Sequence, residues 1–195
     1  MKSSVVVQIT TAKMNGMRRL VETDFHSKDT VALARSLLGK YLVAKQGDQE
    51  IATPITEVEA YDGPDDLACH ASKGRTKRTE TLFGPPGRWY VYLCYGIHEL
   101  LNVVTGPRDY PAAILIRGLE SISGPGRLTK GLGIDRRFNG CIANPETGLW
   151  LEDRGLEFDD SEVDATPRIG VDYAGEDWAN RPYRFVVSER SSKRM

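Results

Sequence analysis

Two largely apolar stretches, separated by a tight turn, constrain the fold of this chain most strongly. Residues 88–95 and 98–105 flank Gly96–Ile97, an arrangement that predicts a β-hairpin. Further strands are predicted along the chain, at residues 41–44, 51–60, 112–119, 149–151, 168–171 and 183–187. Hairpin strands with few helices predict one compact α+β domain, with a mostly antiparallel sheet, packed helices and a protruding hairpin.

Helix signals occur at three places. Asp29 or Ser27 can cap a helix that runs to Leu38, with Gly39 as its stop. The other two are a short helix that begins at Pro64, and a helix from Gly124–Pro125 to about residue 132. The polar stretch 73–87 between them is predicted to be a loop.

The length of 195 residues predicts one domain with appendages. We expect a loosely held N-terminal segment over residues 1–24, a domain over 25–188 and a C-terminal tail over 189–195. No apolar run approaches the roughly 20 residues of a membrane span, and the N-terminus lacks the pattern of a signal peptide. We therefore expect an intracellular monomer with no membrane partner, cytoplasmic or nucleoid-associated in a bacterium and nuclear in a eukaryote.

The cysteines bear on possible metal sites. Cys69, Cys94 and Cys141 are scattered and form no CxxC pair, so they predict neither a disulfide framework nor a metal site. We expect no metal and no cofactor.

The net charge of −1 hides a separation of charge along the chain. Residues 73–137 contain 11 Lys and Arg against 5 Asp and Glu, whereas residues 152–177 contain 10 acidic and 2 basic residues. A basic region is compatible with nucleic-acid binding, and an uneven solvated surface explains it equally well.

The stretch TEVEAYDGPDDLACHAS, from Thr56 to Ser72, contains the candidate catalytic groups. Glu57 and Glu59 alternate on a strand and should share one face. Such a pair is ordinarily the solvent side of a half-buried strand, but Glu59 lies near a Gly-Pro corner and is the better candidate for a general base. His70 could equally be a partly buried structural histidine.

Tyrosines on the predicted hairpin suggest a site for a flat ring. Tyr90 and Tyr92 share a face, which can be core packing or a surface on which a base stacks. Tyr95 lies at the turn, where it can project as a wedge into stacked bases or lie flat on the surface.

Two basic segments are candidate DNA contacts. The first is the loop with Lys73, Arg75, Lys77 and Arg78, which can contact phosphates or simply be solvated. The second is Arg127 at a predicted helix N-terminus, a natural position for an anion.

Six motifs in order, from about residue 25 to residue 188, carry a resemblance to a known family: FHSKDTVALARSLLGKYLV, EVEAYDGPDDLACHAS, YVYLCYGIHELLNVV, AAILIRGLE, SGPGRLTKGLGI and RIGVDYAGE. Together they closely resemble the alkyladenine (3-methyladenine) DNA glycosylase family. The resemblance implies a monofunctional glycosylase without metal or lysine Schiff base. It would excise alkylated or deaminated purines, among them 3-methyladenine, 7-methylguanine, hypoxanthine and ethenoadenine, from double-stranded DNA and so initiate base excision repair.

The resemblance also implies roles for particular residues. Glu59 would activate a water for attack on the sugar, helped by Arg117 and by the backbone carbonyl of Ile169. The flipped base would be enclosed by Tyr61, His70, Tyr92 and Asn102, and Tyr95 would fill the gap left in the duplex.

Two other functions stay open at this point. One is a lesion-binding protein without catalysis, which the presence of both Glu59 and Arg117 disfavours. The other is a hydrolase of free nucleosides, which the basic loop and Tyr95 disfavour.

Overall fold

A computed structural model describes residues 16–188 of the chain. Most of the predicted N-terminal segment 1–24 and all of the predicted tail 189–195 lie outside the described residues. Within the described part, Arg18–Arg19 pair with a strand of the domain and Leu20 is buried. The division of the chain at residues 24 and 188 stays a prediction. No helix among residues 16–188 is long and apolar enough to cross a membrane.

A mostly antiparallel sheet dominates the described residues, as the α+β prediction requires. The strands are β1 (Arg18–Arg19), β2 (Tyr41–Gln46), β3 (Gln49–Tyr61), β4 (Trp89–Cys94), β5 (His98–Thr105), β6 (Ala112–Leu119), β7 (Ile122–Ser123), β8 (Leu149–Asp153), β9 (Val163–Thr166) and β10 (Arg184–Val187). Their order in the sheet is β1-β8-β2-β3-β6-β5-β4, with β10 paired to β3, β9 to β10 and β7 to β6. The described residues also form three α-helices: α1 (Thr30–Ser36), α2 (Pro125–Leu132) and α3 (Glu176–Asn180).

The hairpin of β4 and β5 divides its side chains between two apolar clusters, as the alternation of side chains along a strand predicts. Trp89 and Val91 point into the main core, which α1, α2 and most strands share. Tyr90 and Tyr92 point to the other face, into a smaller cluster with Leu82. The second face of this hairpin therefore forms an aromatic wall outside the main core.

Strand β3 is central because its first half pairs with β2 and its second half pairs with both β6 and β10. The register against β6 shifts on both sides of Glu57, the sign of a β-bulge, which re-aims side chains locally. Glu57 and Glu59 are both buried, with Glu59 fully so. The interpretation of this pair as the solvent face of a half-buried strand was therefore wrong, because the side chains of Arg117 and Arg184 and the turn at Ile169 cover that face.

Two helix predictions are confirmed. Asp29 caps α1 by accepting from the N–H of Ala32, and Gly39, just beyond its end, has φ +83°. Pro125 occupies the first turn of α2, where its missing N–H costs nothing.

The helix predicted at Pro64 does not form. The carboxylate of Asp66 instead accepts from the N–H groups of Asp62 and Ala68, and such side-chain bonds compete with helical ones. A 3₁₀ turn begins only at His70, over His70–Lys73. A second one, Glu80–Phe83, interrupts the predicted loop 73–87.

The strand predicted at residues 168–171 is also wrong. That stretch is a turn in which Gly170 has φ +76°, and the strand lies earlier, at β9. The side chain of Arg168 is buried and the N–H of Ile169 donates to a side chain, so the backbone leaves the sheet here.

Candidate active site

A cleft of about 720 Å³ opens beside the hairpin. The hairpin, the segment after β3, the N-terminus of α2 and the turn after β9 form its walls. Most of the candidate residues line it: Tyr61, His70, Arg78, Tyr92, Tyr95, Asn102, Arg117, Arg127 and Ile169. The volume lies in the range of a small-molecule site, and five tyrosines line it: Tyr61, Tyr90, Tyr92, Tyr95 and Tyr173.

Glu59 lies immediately behind this cleft and has no exposed surface. Its Oε2 accepts from the hydroxyl of Tyr61 at 2.9 Å. Its Oε1 accepts from the N–H of Ile169 at 2.8 Å and lies 3.4 Å from Nη1 of Arg117. All three partners line the cleft, so Glu59 is one side chain away from it.

Ile169 contacts Glu59 through its backbone N–H, whereas the resemblance assigned a role to its carbonyl. The N–H fixes the orientation of the carboxylate. The carbonyl role stays a prediction.

The environment makes Glu59 a better base than an ordinary glutamate. Burial raises its pKa, while Arg117, the N–H of Ile169 and the hydroxyl of Tyr61 lower it and Glu57 raises it. The net direction is upward. A carboxylate of raised proton affinity that is also held in place suits the removal of a proton from water.

Two ion pairs converge on Glu57. Its Oε1 accepts from Nε of Arg117 at 2.9 Å and from Nε of Arg184 at 2.7 Å. Sequence reasoning did not find Arg184, because its partner is 127 positions away in the chain.

Arg168 and Asp66 form a fully buried ion pair beneath Tyr61. Nη2 of Arg168 donates to Oδ1 of Asp66 at 2.9 Å, and its Nη1 donates to the carbonyl of Ala60 at 2.7 Å. The guanidinium carbon lies 4.9 Å from the ring centre of Tyr61. This pair connects the turn after β9 to the end of β3. No local pattern in the sequence predicts it.

An aromatic cluster forms one wall of the cleft. The ring centres of His70 and Tyr92 are 4.5 Å apart, edge to face, and those of Tyr90 and Tyr92 are 5.3 Å apart. Nδ1 of His70 lies 3.0 Å from the hydroxyl of Tyr90. Burial, with a smaller effect of Arg78, lowers the pKa of His70 to about 4, so its ring is neutral near pH 7.

Asn102 lies on β5 next to this wall and is buried. Its Nδ2 donates to the carbonyl of Tyr90 at 3.1 Å. The amide is therefore held by its NH₂ group while the residue lines the cleft.

Tyr95 projects from the tip of the hairpin, as expected, with 86% of its surface exposed. Its φ of +50° is unusual for a residue with a side chain. Neighbouring Ile97 is 75% exposed, so the tip presents two apolar side chains to solvent.

The basic candidates separate into two groups. Arg78 and Arg127 are exposed and line the cleft, and Arg78 also lies over the ring of Tyr92 at 5.4 Å. Lys73, Arg75 and Lys77 are exposed but do not line it. Arg75 forms an ion pair with Asp109 and lies 3.8 Å from Glu80. These pairings leave the guanidinium of Arg75 less free to bind phosphate.

Tyr173 was not among the predicted site residues, although it belongs to the RIGVDYAGE motif. It lines the cleft and is 66% exposed, and its hydroxyl donates to the carbonyl of Ala68 at 2.8 Å. Its position within one of the six family motifs is the sequence signal from which Tyr173 could have been predicted.

The chain matches a known protein family over most of its length. The family model described as "Methylpurine-DNA glycosylase (MPG)" matches residues 24–123 and 120–191. The chain belongs to the methylpurine-DNA glycosylase family. Membership makes it a DNA glycosylase, a hydrolase of DNA repair whose substrate is DNA, and it confirms the resemblance drawn from the six motifs.

Three relatives from this family share the name "Putative 3-methyladenine DNA glycosylase". The protein from Legionella pneumophila (strain Paris) is 45% identical over 184 residues, covering 89% of this chain and 96% of its own. That from Methanocella arvoryzae is 44% identical over 182 residues, covering 83% and 89%. That from Anaeromyxobacter dehalogenans (strain 2CP-C) is 45% identical over 173 residues, covering 84% and 81%.

Proposed function

We propose that the protein is a monofunctional DNA glycosylase that acts on alkylated or deaminated purines. It flips 3-methyladenine, 7-methylguanine, hypoxanthine or ethenoadenine out of duplex DNA and hydrolyses the N-glycosidic bond, which initiates base excision repair. Glu59 is the general base. The observation that carries this proposal is a buried carboxylate of raised pKa, held by three donors directly behind an aromatic cleft.

The reaction needs one activated water. Glu59 takes a proton from the water while the oxygen of that water bonds to C1′ of the deoxyribose. At the same time the bond between C1′ and the base nitrogen breaks. The bonding pair leaves with the purine and an abasic site remains. A cationic N-alkylated purine leaves as the neutral base, whereas a neutral purine such as hypoxanthine leaves as an anion that takes a proton from solvent. No lysine is among the described residues that line the cleft, in accord with a route without a Schiff base.

Water must reach Glu59 for this chemistry. The two carboxylate oxygens offer about four acceptor positions, and three described donors use three of them. The fourth position, on Oε2, is left to accept a hydrogen bond from the water.

The cleft walls suit a flipped purine. The target atom is inaccessible inside a duplex, so the nucleotide must leave the stack. The faces of Tyr61 and Tyr92 attract N-alkylated purines, which carry positive charge, and neutral His70 adds no repulsion. Asn102 screens substituents on the purine edge.

Outside the cleft, Tyr95 fills the gap in the base stack, because it is the most exposed aromatic residue of the hairpin tip. Arg78 and Arg127, at the cleft, contact the phosphates that flank the extruded nucleotide. Lys73 and Lys77 add weaker contacts farther along the backbone.

Single-turnover base excision tests the proposal, with duplexes that contain one hypoxanthine, ethenoadenine or 7-methylguanine. Native protein should excise at least one of these bases, and Glu59→Gln should lose about 100-fold or more in rate while still binding the duplex. Glu50→Gln is the matched control, since Glu50 lies on the same strand but is exposed.

Two other outcomes would overturn the proposal. Tight binding without base release by the native protein would indicate a lesion-binding function. Faster turnover of free deoxyinosine than of hypoxanthine in a duplex would indicate a nucleoside hydrolase.

A further inference from the structure

Glu57 is the acceptor that two arginines from different strands share. Arg117 reaches it from β6 and Arg184 from β10, both through Nε and both to the same oxygen, Oε1. Only about a tenth of the Glu57 side chain is exposed. A buried carboxylate with two arginine partners is costly to place, so its position invites a functional explanation.

The backbone is arranged to place Glu57 there. The β-bulge on both sides of the residue directs its side chain, and Gly118 lies opposite it on β6. A Cβ at Gly118 would lie 3.0 Å from Cβ and 3.3 Å from Oε2 of Glu57. A side chain at position 118 would crowd Glu57, and glycine avoids this contact. The ILIRGLE segment therefore supplies Arg117 and also the space that its partner Glu57 occupies.

The guanidinium of Arg117 is divided between two carboxylates. Its Nε donates to Glu57 at 2.9 Å, whereas its Nη1 lies 3.4 Å from Glu59, a looser contact. Because a guanidinium is a planar and rigid fork, the bond at Nε sets the direction of Nη1. Without Glu57, the same fork could turn and pair with both oxygens of Glu59.

We propose that Glu57 is a positioning residue that holds Arg117 in a one-sided contact and so keeps Glu59 free to take a proton. This role rests on the proposed function of Glu59 as the general base. Glu57 itself is not among the described residues that line the cleft. It acts by withholding part of the charge of Arg117 from Glu59.

The electrostatics around Glu59 support this role. Burial raises the pKa of Glu59, Arg117 lowers it, and the negative charge of Glu57 raises it. The other charged or titratable groups that face Glu59 are Tyr61, on the same strand, and three residues from further elements. These three are Tyr92 on β4, Arg168 before the turn that holds Ile169, and Arg184, which is opposite Glu59 on β10. Loss of Glu57 removes a negative charge that raises the pKa of Glu59. It also lets Arg117 come closer to Glu59, which lowers that pKa further.

The sign of a pH shift separates this role from a merely structural one. Removing the Glu57 charge lowers the pKa of Glu59, so the acid limb of activity should move to lower pH. Removing the Arg184 charge can only raise the pKa of a nearby carboxylate, so the limb should move upward or stay. If the substitutions only loosened the packing of the site, the acid limbs of the Glu57 and Arg184 variants would have no reason to move in opposite directions.

The experiment is a pH profile of single-turnover excision from a hypoxanthine duplex, whose base keeps its protonation state across the acid limb. Native protein, Glu57→Gln, Arg184→Gln and Glu59→Gln are compared, each checked for folding by thermal melting and for duplex binding. We expect Glu57→Gln to excise about tenfold more slowly at the plateau and its acid limb to lie about one pH unit lower.

An acid limb that stays in place in folded Glu57→Gln, or that moves upward, would overturn this inference while leaving the general base intact. If Glu57→Gln does not fold, Arg184→Gln decides alone, and a downward shift there counts against the role. Full activity of Glu59→Gln would instead overturn the proposed function, so the two failures are distinguishable.

Discussion

The hydroxyl of Tyr61 donates to Oε2 of Glu59 at 2.9 Å, so the ring that lines the cleft also bonds the carboxylate behind it. This bond lowers the pKa of Glu59 against the larger effect of burial. Tyr61→Phe removes the bond and keeps the ring. The pKa of Glu59 should then rise, and the acid limb of excision should move to higher pH.

A pH profile of single-turnover excision measures this shift. Tyr92→Phe is the control, because it removes a hydroxyl from the same cleft that is not among the three described donors to Glu59. An acid limb of Tyr61→Phe that coincides with that of the native protein would show that the bond is absent in the working enzyme.

The backbone at Tyr95 allows the role of its side chain to be separated from its effect on folding. The φ of +50° favours glycine, so Tyr95→Gly should keep the native free energy of unfolding to within about 1 kcal/mol. Without the wedge, excision from a duplex should fall about tenfold or more.

The same lesion in a single strand is the control, since no gap in a duplex has to be filled there. Excision rates and urea unfolding of native protein and Tyr95→Gly give both quantities. Equal losses on single-stranded and duplex substrates would contradict the wedge.

The buried pair of Asp66 and Arg168 should dominate the stability of the cleft. Both side chains have no exposed surface, so Asp66→Asn leaves an uncompensated buried guanidinium and should cost about 3–5 kcal/mol of unfolding free energy. Urea denaturation measures the loss.

The exposed pair of Asp177 and Arg181 provides a matched comparison. Its two side chains are 74% and 34% exposed, so Asp177→Asn should change the unfolding free energy by less than about 1 kcal/mol. Similar losses for Asp66→Asn and Asp177→Asn would show that burial does not strengthen the first pair.

Local signals were sufficient for the hairpin and for α2. The hairpin was indicated by Gly96 within the turn and by largely apolar residues on both sides of it, and α2 was indicated by Pro125 at its first turn. The structure confirms both elements. The wall of Tyr90 and Tyr92 followed from the position of both residues on one face of a strand.

Long-range pairing was not predictable from the sequence. Asp66 meets Arg168 across 102 positions, and this pairing, with its bonds to nearby N–H groups, replaced the helix expected after Pro64. The solvent face stayed an open alternative for Glu57, because nothing near it in the chain shows that Arg184 covers it.

The neutral state of His70 has a consequence for stability in acid. Burial lowers its pKa from an ordinary 6.5 to about 4, so between these values the unfolded chain binds a proton on His70 that the folded chain does not. Stability therefore falls as the pH decreases through this window, by roughly 3 kcal/mol for the full shift. His70→Asn removes this contribution and keeps a polar group toward Tyr90.

Urea unfolding of native protein and His70→Asn at neutral pH and just above pH 4 tests this expectation, with carboxylates contributing equally to both. The native protein should lose more stability than the variant on acidification, and the His70 ring should titrate near 4 by NMR. A ring that titrates near its ordinary value would mean that Tyr90 and Tyr92 do not exclude water from it. The cleft wall would then be too open to enclose a flipped base.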